Sequence, residues 1–403
     1  MNICHITTVH PAKDARIFYR MCRGLAAKKI AVVLIAPGSF AAEPYLRSSR
    51  WNDKLAQAPR PRRAAIALKA ALAENADVYH FHDPELIPLA LVLKILKPAN
   101  AVIYDVHEDY PSMMRDKYWL PQWLRPSAAL AAGLANRLAA RFLSGIVVAD
   151  RGVADDFMRM APGKILIHYN FPSLALFAPP DGAPPRPTAD LVYLGGLSER
   201  AGIFVLLDAL EILAGSGIKP TVRLAGYTDG AKGLATIDAA LRKRGLCEQV
   251  EFHGRLAHTQ VPGWLRAGRI GLVMLQAVPK FMKNIPSKMF EYWACGLPVL
   301  ASDLPPIRQF LVEGENGYLF APASAPRLAE RIAYLLCNSE QCCSLGRAGR
   351  RMVETQWNND RQIAQLIDFY ERLGAQGLRR RSAFAPAKST ASVKDLPADL
   401  PER

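Results

Sequence analysis

Cysteine is scarce in this chain, with seven in 403 residues, an odd number without a single Cys-x-x-Cys pair. That excludes a disulfide framework and the usual thiol-ligated metal sites, and it reads as reduced thiols in a reducing compartment. Long apolar runs are missing too. The longest, such as Ile87 to Leu93, fall far short of the roughly 20 residues a membrane-spanning helix needs. The start, Met1-Asn2-Ile3-Cys4-His5, carries no basic leader and already begins a strand, so a cytoplasmic protein is expected. Acidic residues are also in short supply: 36 Asp+Glu against 51 Lys+Arg give a formal net charge of +15. The imbalance is greater in the first half, where residues 1–180 hold 23 basic and 14 acidic side chains. Arg60, Arg62 and Arg63 form one cluster, and Arg115, Lys117, Arg125, Arg137 and Arg141 another. Either can face anionic lipid or a phosphate-bearing acceptor, or be a solvated helix face. No nucleic-acid motif accompanies them, and no nucleic-acid partner is expected.

What is present in quantity is alternation. Apolar, β-branched runs at Ile3–Thr8, Ala31–Ala36, Asp77–His82, Ala101–Val106, Gly145–Ala149 and Lys164–His168 are separated by amphipathic segments at 14–28, 84–97, 123–143 and 150–160. This predicts a parallel sheet covered by helices. Residues 171–190 then turn Pro-rich and lose periodicity, which predicts a linker. A second series follows, with strands near Leu191–Leu194, Thr221–Ala225, Val250–His253, Ile270–Leu275, Val299–Ala301 and Gly317–Phe320. The expected organisation is α/β, with two Rossmann-like doubly wound domains, 1–170 and 191–357, facing each other across a cleft. A helix over 358–378 and a disordered tail over 379–403 close the chain.

The richest stretch is Ile285-Pro286-Ser287-Lys288-Met289-Phe290-Glu291-Tyr292-Trp293-Ala294-Cys295-Gly296-Leu297-Pro298, leading into Val299-Leu300-Ala301-Ser302. Ser287 is a plausible N-cap, Gly296 a helix stop, and the run after Pro298 a buried strand. A helix N-terminus with Lys288 in its first turn suits a phosphate, and Glu291 one turn on can accept ribose hydroxyls. The plainer reading of Lys288 and Glu291 is a solvated i,i+3 pair.

Three more segments, His10-Pro11-Ala12-Lys13-Asp14-Ala15-Arg16-Ile17-Phe18-Tyr19, Tyr104-Asp105-Val106-His107-Glu108-Asp109-Tyr110-Pro111 and Tyr193-Leu194-Gly195-Gly196-Leu197, occur with it in a fixed order. Together, over roughly residues 1 to 373, they resemble the retaining GT-B glycosyltransferases, the group 1 or family 4-like enzymes. The resemblance implies a GT-B fold and transfer of a sugar from a nucleotide-diphosphate sugar to a glycan or lipid-linked acceptor. It further implies a role in cell-surface polysaccharide or glycolipid synthesis, no required cofactor or metal, and possible peripheral association with an anionic membrane.

Residue by residue, His107 stands directly after a strand and is placed by the resemblance against the transferred sugar, with Glu291 as its catalytic companion across the cleft. Donor phosphates are expected at Gly195, Gly196, Arg200, Asn284, Ser287 and Lys288, and the nucleotide base at Gly226, Tyr227, Gly254, Arg255 and Leu256. Asp14, Arg16 and His82 are the acceptor-side candidates; from spacing alone, Asp14 is better read as an N-cap. The chain departs from the family where an Arg and a Lys usually flank the donor loop, since Gly196 and Ala201 stand there, with Arg200 one residue away. Lys283 likewise replaces the first of two glutamates spaced eight apart. His80, His82 and His107 also permit a metal-dependent hydrolase. The departures at Gly196, Ala201 and Lys283 leave room for a nucleotide-sugar epimerase on the same fold, or for a transferase relative without turnover.

Overall fold

The computed structural model describes all residues except 116–119, 180–186, 229 and 385–403, and the backbone alone for 376–384. Among the described residues, thirteen strands form two wholly parallel sheets. The first comprises β1 (Asn2–Ile6), β2 (Ala31–Ile35), β3 (Leu46–Ser48), β4 (Val78–Phe81), β5 (Ala101–Val106), β6 (Gly145–Val148) and β7 (Ile165–Ile167). Their order is β3-β2-β1-β4-β5-β6-β7. The second comprises β8 (Ala189–Gly196), β9 (Val222–Tyr227), β10 (Val250–Phe252), β11 (Gly268–Val273), β12 (Val299–Ser302) and β13 (Gly317–Phe320), ordered β10-β9-β8-β11-β12-β13. Strand order reverses at β1/β4 and at β8/β11, the points where a doubly wound sheet opens a crevice at its carboxyl edge.

Burial explains why the apolar runs become central strands. All six residues of β5 and all four of β12 are buried, as expected where helices cover both faces. Alternate residues serve opposite cores: Cys4, Ile6, Tyr79 and Tyr104 lie in one, Ile3, Leu34, Ile103 and Val147 in the other. The second of these is completed by Ile363, Leu366, Phe369 and Tyr370 of the closing helix, Asn359–Phe384. Glycine permits that docking, because a Cβ at Gly24 or Gly145 would fall 2.6–2.7 Å from Ile363, Phe369 or Leu373.

Some details differ from the expectation drawn from the sequence. Strand β3 is additional to it, since three residues with only Leu46 well buried leave no apolar run to detect. The helices Asn52–Gln57 and Arg60–Ala73 are additional too. The closing helix continues to Phe384, six residues into the expected tail, over a stretch without a proline to break it. The remainder of that tail lies outside the described residues. So do residues 180–186 of the expected linker; before them Phe171 and Phe177 are buried in the second domain's core, and after them β8 begins at Ala189.

Candidate active site

The carboxyl edges of the two sheets enclose a cavity of ≈ 590 Å³. His107, Glu108, Asp150 and Asn170 line it from the first domain. Gly195, Gly196, Arg200, Tyr227, Asn284, Ser287 and Lys288 line it from the second.

On the first side the geometry starts at Asp14, whose carboxylate accepts the backbone N–H groups of Arg16 (2.8 Å) and Ile17 (2.9 Å) and so caps the helix after it. That helix, Ala15–Cys22, is wound as a π-helix, and it carries two buried arginines, Arg16 and Arg20. Arg16 grips Asp105 at the end of β5 with Nε and Nη2 (3.0 and 2.7 Å), and its Nη1 reaches the His168 carbonyl and Asn170. Asp105 Oδ2 also accepts from His82 Nδ1 (2.9 Å) and His107 Nε2 (3.0 Å). Burial alone would raise this carboxyl, but Arg16, His107 and His82 outweigh it and hold it well below the carboxylate range. An ionised Asp105 only accepts, so the two ring nitrogens facing it carry protons. His82 Nε2 is then left to accept from His5 Nδ1 at 2.8 Å. His107, with Nε2 committed, keeps Nδ1 as its remaining polar atom at the cavity wall.

Beneath His107, the rings of His5, His80 and His82 stack with centroids 4.7–5.1 Å apart, and His80 Nδ1 meets the Tyr370 hydroxyl of the closing helix at 2.5 Å. Burial lowers all three histidines, so the stack is neutral near pH 7. His80, His82 and Asp105 place ligand atoms within 4.8 Å of one another. Arg16 already occupies Asp105 with two bonds, however, and both nitrogens of His82 are engaged, so the group suits a fixed polar core better than a metal.

In the second domain Lys288 is the central cation. Its ammonium lies 4.0 Å from the centre of the Tyr193 ring and against Gly195, where a Cβ would approach Nζ to 2.6 Å. Burial pushes this lysine down to about 7, with Glu291 acting in the opposite direction. Gly195 has φ +141 and Gly226 φ +148, and a Cβ on Gly226 would lie 1.8 Å from the Gly195 carbonyl. These glycines therefore allow β8 and β9 to end in contact at the cavity floor. Ser287 lines the cavity but does not cap the helix Lys288–Ala294, because it already has helical dihedrals and its side chain makes no capping bond. Gly296, at φ +76, ends that helix as expected.

Among the described residues, three ion pairs join the domains across the cleft. Arg20 Nη2 binds Glu291 Oε1 at 2.7 Å, with both residues buried. Lys280 pairs with Glu108 at 2.7 Å and Lys283 with Asp109 at 2.5 Å. Asp150, raised to about 6 by burial, faces the Ile285 backbone N–H from the first domain.

Of the residues singled out in the sequence, His107, Gly195, Gly196, Arg200, Tyr227, Asn284, Ser287 and Lys288 meet at the cavity. The others do not line it. Glu291 stands one layer back on Arg20, and Arg16 and His82 are buried on Asp105, where neither can touch an acceptor directly. Gly254 accepts the Gly226 N–H, Arg255 lies over the Tyr227 ring at 4.9 Å, and Leu256 packs on the core. Sequence reasoning missed Tyr193, Lys280 and above all Arg20. Arg20 did leave a signal: it lies four residues after Arg16 on an amphipathic helix, and an arginine turned inward requires a carboxylate.

Comparisons with known proteins agree with this fold. The model of the family described as "Glycosyl transferases group 1" matches residues 179–352, and that of "Glycosyltransferase Family 4" matches residues 15–174. The amylovoran biosynthesis glycosyltransferase AmsK of Erwinia amylovora is 28% identical over 184 residues, 45% of this chain and 44% of AmsK. The putative colanic acid biosynthesis glycosyltransferase WcaL of Escherichia coli is 22% identical over 209 residues, 51% of each chain. The matches thus span about half the length of these curated relatives. Among solved structures, sucrose-phosphate synthase from Thermosynechococcus elongatus superposes with a TM-score of 0.71 at 19% identity, covering 93% of this chain and 100% of that one. HepE from Anabaena, solved in complex with UDP, gives 0.66 at 16% identity over 92% and 100% of the two chains.

Proposed function

Because the chain belongs to the group 1 glycosyltransferases of GT-B fold, we propose that it transfers a sugar from a nucleotide-diphosphate donor to a glycan or lipid-linked acceptor in polysaccharide or glycolipid synthesis. One observation carries this reading: a single cavity joins the cations Lys288 and Arg200 and the glycine-terminated strands of the second domain to a carboxylate-held histidine of the first. In this reading the donor diphosphate lies along Gly195 and Gly196, with Lys288 and Arg200 neutralising the charge that develops as the bond to the sugar breaks. For Lys288, attraction to the diphosphate replaces lost hydration, which returns its ammonium to the protonated state. The base lies toward Tyr227. Glu291, one layer behind the cavity and held by Arg20, acts through Lys288, whose ammonium its charge favours. His107, with its Nε2 proton on Asp105, accepts a hydrogen bond from a sugar hydroxyl at Nδ1. The acceptor enters from the first domain, and the sugar leaves with its anomeric configuration retained. AmsK and WcaL are named for amylovoran and colanic acid biosynthesis, which supports a polysaccharide as product.

The test is calorimetry and thermal shift with UDP, GDP, ADP and their sugars, followed by NMR of the product anomer. A nucleoside diphosphate that raises the melting temperature in wild type but not in Lys288→Met supports the donor site. If none of them binds at millimolar concentration, the reading fails.

A further inference from the structure

The helix Arg125–Phe142 of the first domain carries two residues that packing does not explain. Asn136 is only 7% exposed, yet its side-chain amide makes no hydrogen bond with any described residue. Buried polar groups are normally partnered, and asparagine is a poor helix former, so the residue weakens the helix on both counts. Gly133, one turn earlier on the same face, weakens it as well. No neighbour requires that glycine: a Cβ there would meet nothing within 4 Å, in contrast to Gly24 and Gly145. Both residues open on a second cavity, of ≈ 260 Å³, between this helix, the helix Arg151–Met160 and the loop after His107. Val153 and Phe157 give it an apolar floor. Its carboxylates are already neutralised, Glu108 by Lys280, Asp109 by Lys283 and Asp156 by Arg159. Arg137, exposed at the rim, has no partner among the described residues.

We propose that this cavity binds one neutral sugar unit of the acceptor glycan. A sugar ring has an apolar C–H face and a rim of hydroxyls, which matches an apolar floor beside an unengaged amide and an unengaged guanidinium. The Asn136 amide both donates and accepts, so it can hold two neighbouring hydroxyls, and the missing side chain at Gly133 lets the ring approach the helix. A cation would find no free carboxylate here, and an anion would face three of them in a small space. Glu108 lines this cavity and the large one alike, and it directly follows His107. The site therefore lies beside the place where the transferred sugar meets its acceptor, and it holds the unit next to the one that is glycosylated. This rests on the transferase reading and narrows it: the acceptor ends in at least two sugars.

The experiment is methyl NMR of the full chain with isotope-labelled methionine, because Met160 lines the cavity. The probes are glucose, galactose, mannose and N-acetylglucosamine at high millimolar concentration, of which at least one is expected to shift the Met160 signal saturably. Gly133→Leu fills the cavity and should weaken this binding at least about tenfold, while the melting temperature holds or rises as a glycine leaves the helix interior. Asn136→Leu should weaken it similarly without lowering the melting temperature, because it removes a polar group that the fold leaves unpaired. No response at Met160 to any of the four sugars, or variants that bind like wild type, overturns the proposal. So does an Asn136→Leu protein that melts well below wild type, which makes the asparagine structural. Titration of the same samples with UDP, GDP and ADP reports the donor site separately, so a failed subsite with a bound nucleotide leaves the transferase reading standing.

Discussion

Removing the Arg20 side chain tests the joint between the domains and the donor site together. Arg20 donates Nη2 to Glu291 at 2.7 Å and Nε to the Phe171 carbonyl at 3.1 Å, and it is buried. Arg20→Ala leaves the Glu291 carboxylate in an apolar layer with only Lys288 near it, a loss of about 3–5 kcal/mol for breaking a buried pair. Protonation caps that loss. Burial already raises Glu291, and without Arg20 it rises further, so its folded value lies above its unfolded one. Stability tied to such a carboxyl is full below the unfolded value and declines as pH rises toward the folded one. The deficit of Arg20→Ala should therefore be small near pH 4.5 and grow by at most about 1.4 kcal/mol per pH unit above it. Urea denaturation of wild type, Arg20→Ala, Glu291→Gln and the double variant between pH 5 and 8 measures this, and the cycle isolates the pair. Glu291→Gln should also weaken diphosphate binding near pH 7, because it removes the charge that favours the Lys288 ammonium. Single variants whose losses simply add, with no dependence on pH, would refute the reasoning.

Lys288 sets a second pH dependence: with its ammonium pushed down to about 7, nucleoside diphosphate affinity should fall as pH rises through 7, by up to about tenfold per unit. Calorimetry of Lys288→Met across pH 6–9 should give a weak, flat profile. His107→Ala leaves Arg16 and His82 on Asp105, so the melting temperature should move little while kcat falls about 10²-fold, and transfer should survive exhaustive chelation. Loss of activity on chelation, restored by metal, would instead favour a metal at His80, His82 and Asp105. The pair Lys283–Asp109 is partly exposed, and Lys283→Ala should cost no more than about 1 kcal/mol in denaturation.

Much of the fold was legible because a central parallel strand must be apolar on both faces. Twelve of the thirteen strands coincide with apolar or β-branched runs, whereas β3 has three residues and one buried side chain, so it formed only because β2 was there to pair with it. At the site, legibility followed locality. Lys288 and Ser287 lie within one motif, Gly195 and Gly196 end a visible strand, and His107 follows one, so each reaches the cavity directly.

What the sequence determined by itself was the set of elements, their alternation, and the residue types brought to the strand ends, since propensity and burial pattern act over a few neighbours. What only the tertiary structure decided was which polar groups meet. Glu291 and Arg20 are 271 residues apart, His80 and Tyr370 are 290 apart, and no periodicity links such pairs. Nor does a pattern of apolar spacing say which side of a helix faces the core. Arg125–Phe142 has the leucine spacing of a core helix, yet the sheet accepts its alanines and leaves the leucines outside. The face turned inward is the one whose Ala129, Ala139 and Ala140 let the helix approach its neighbours closely.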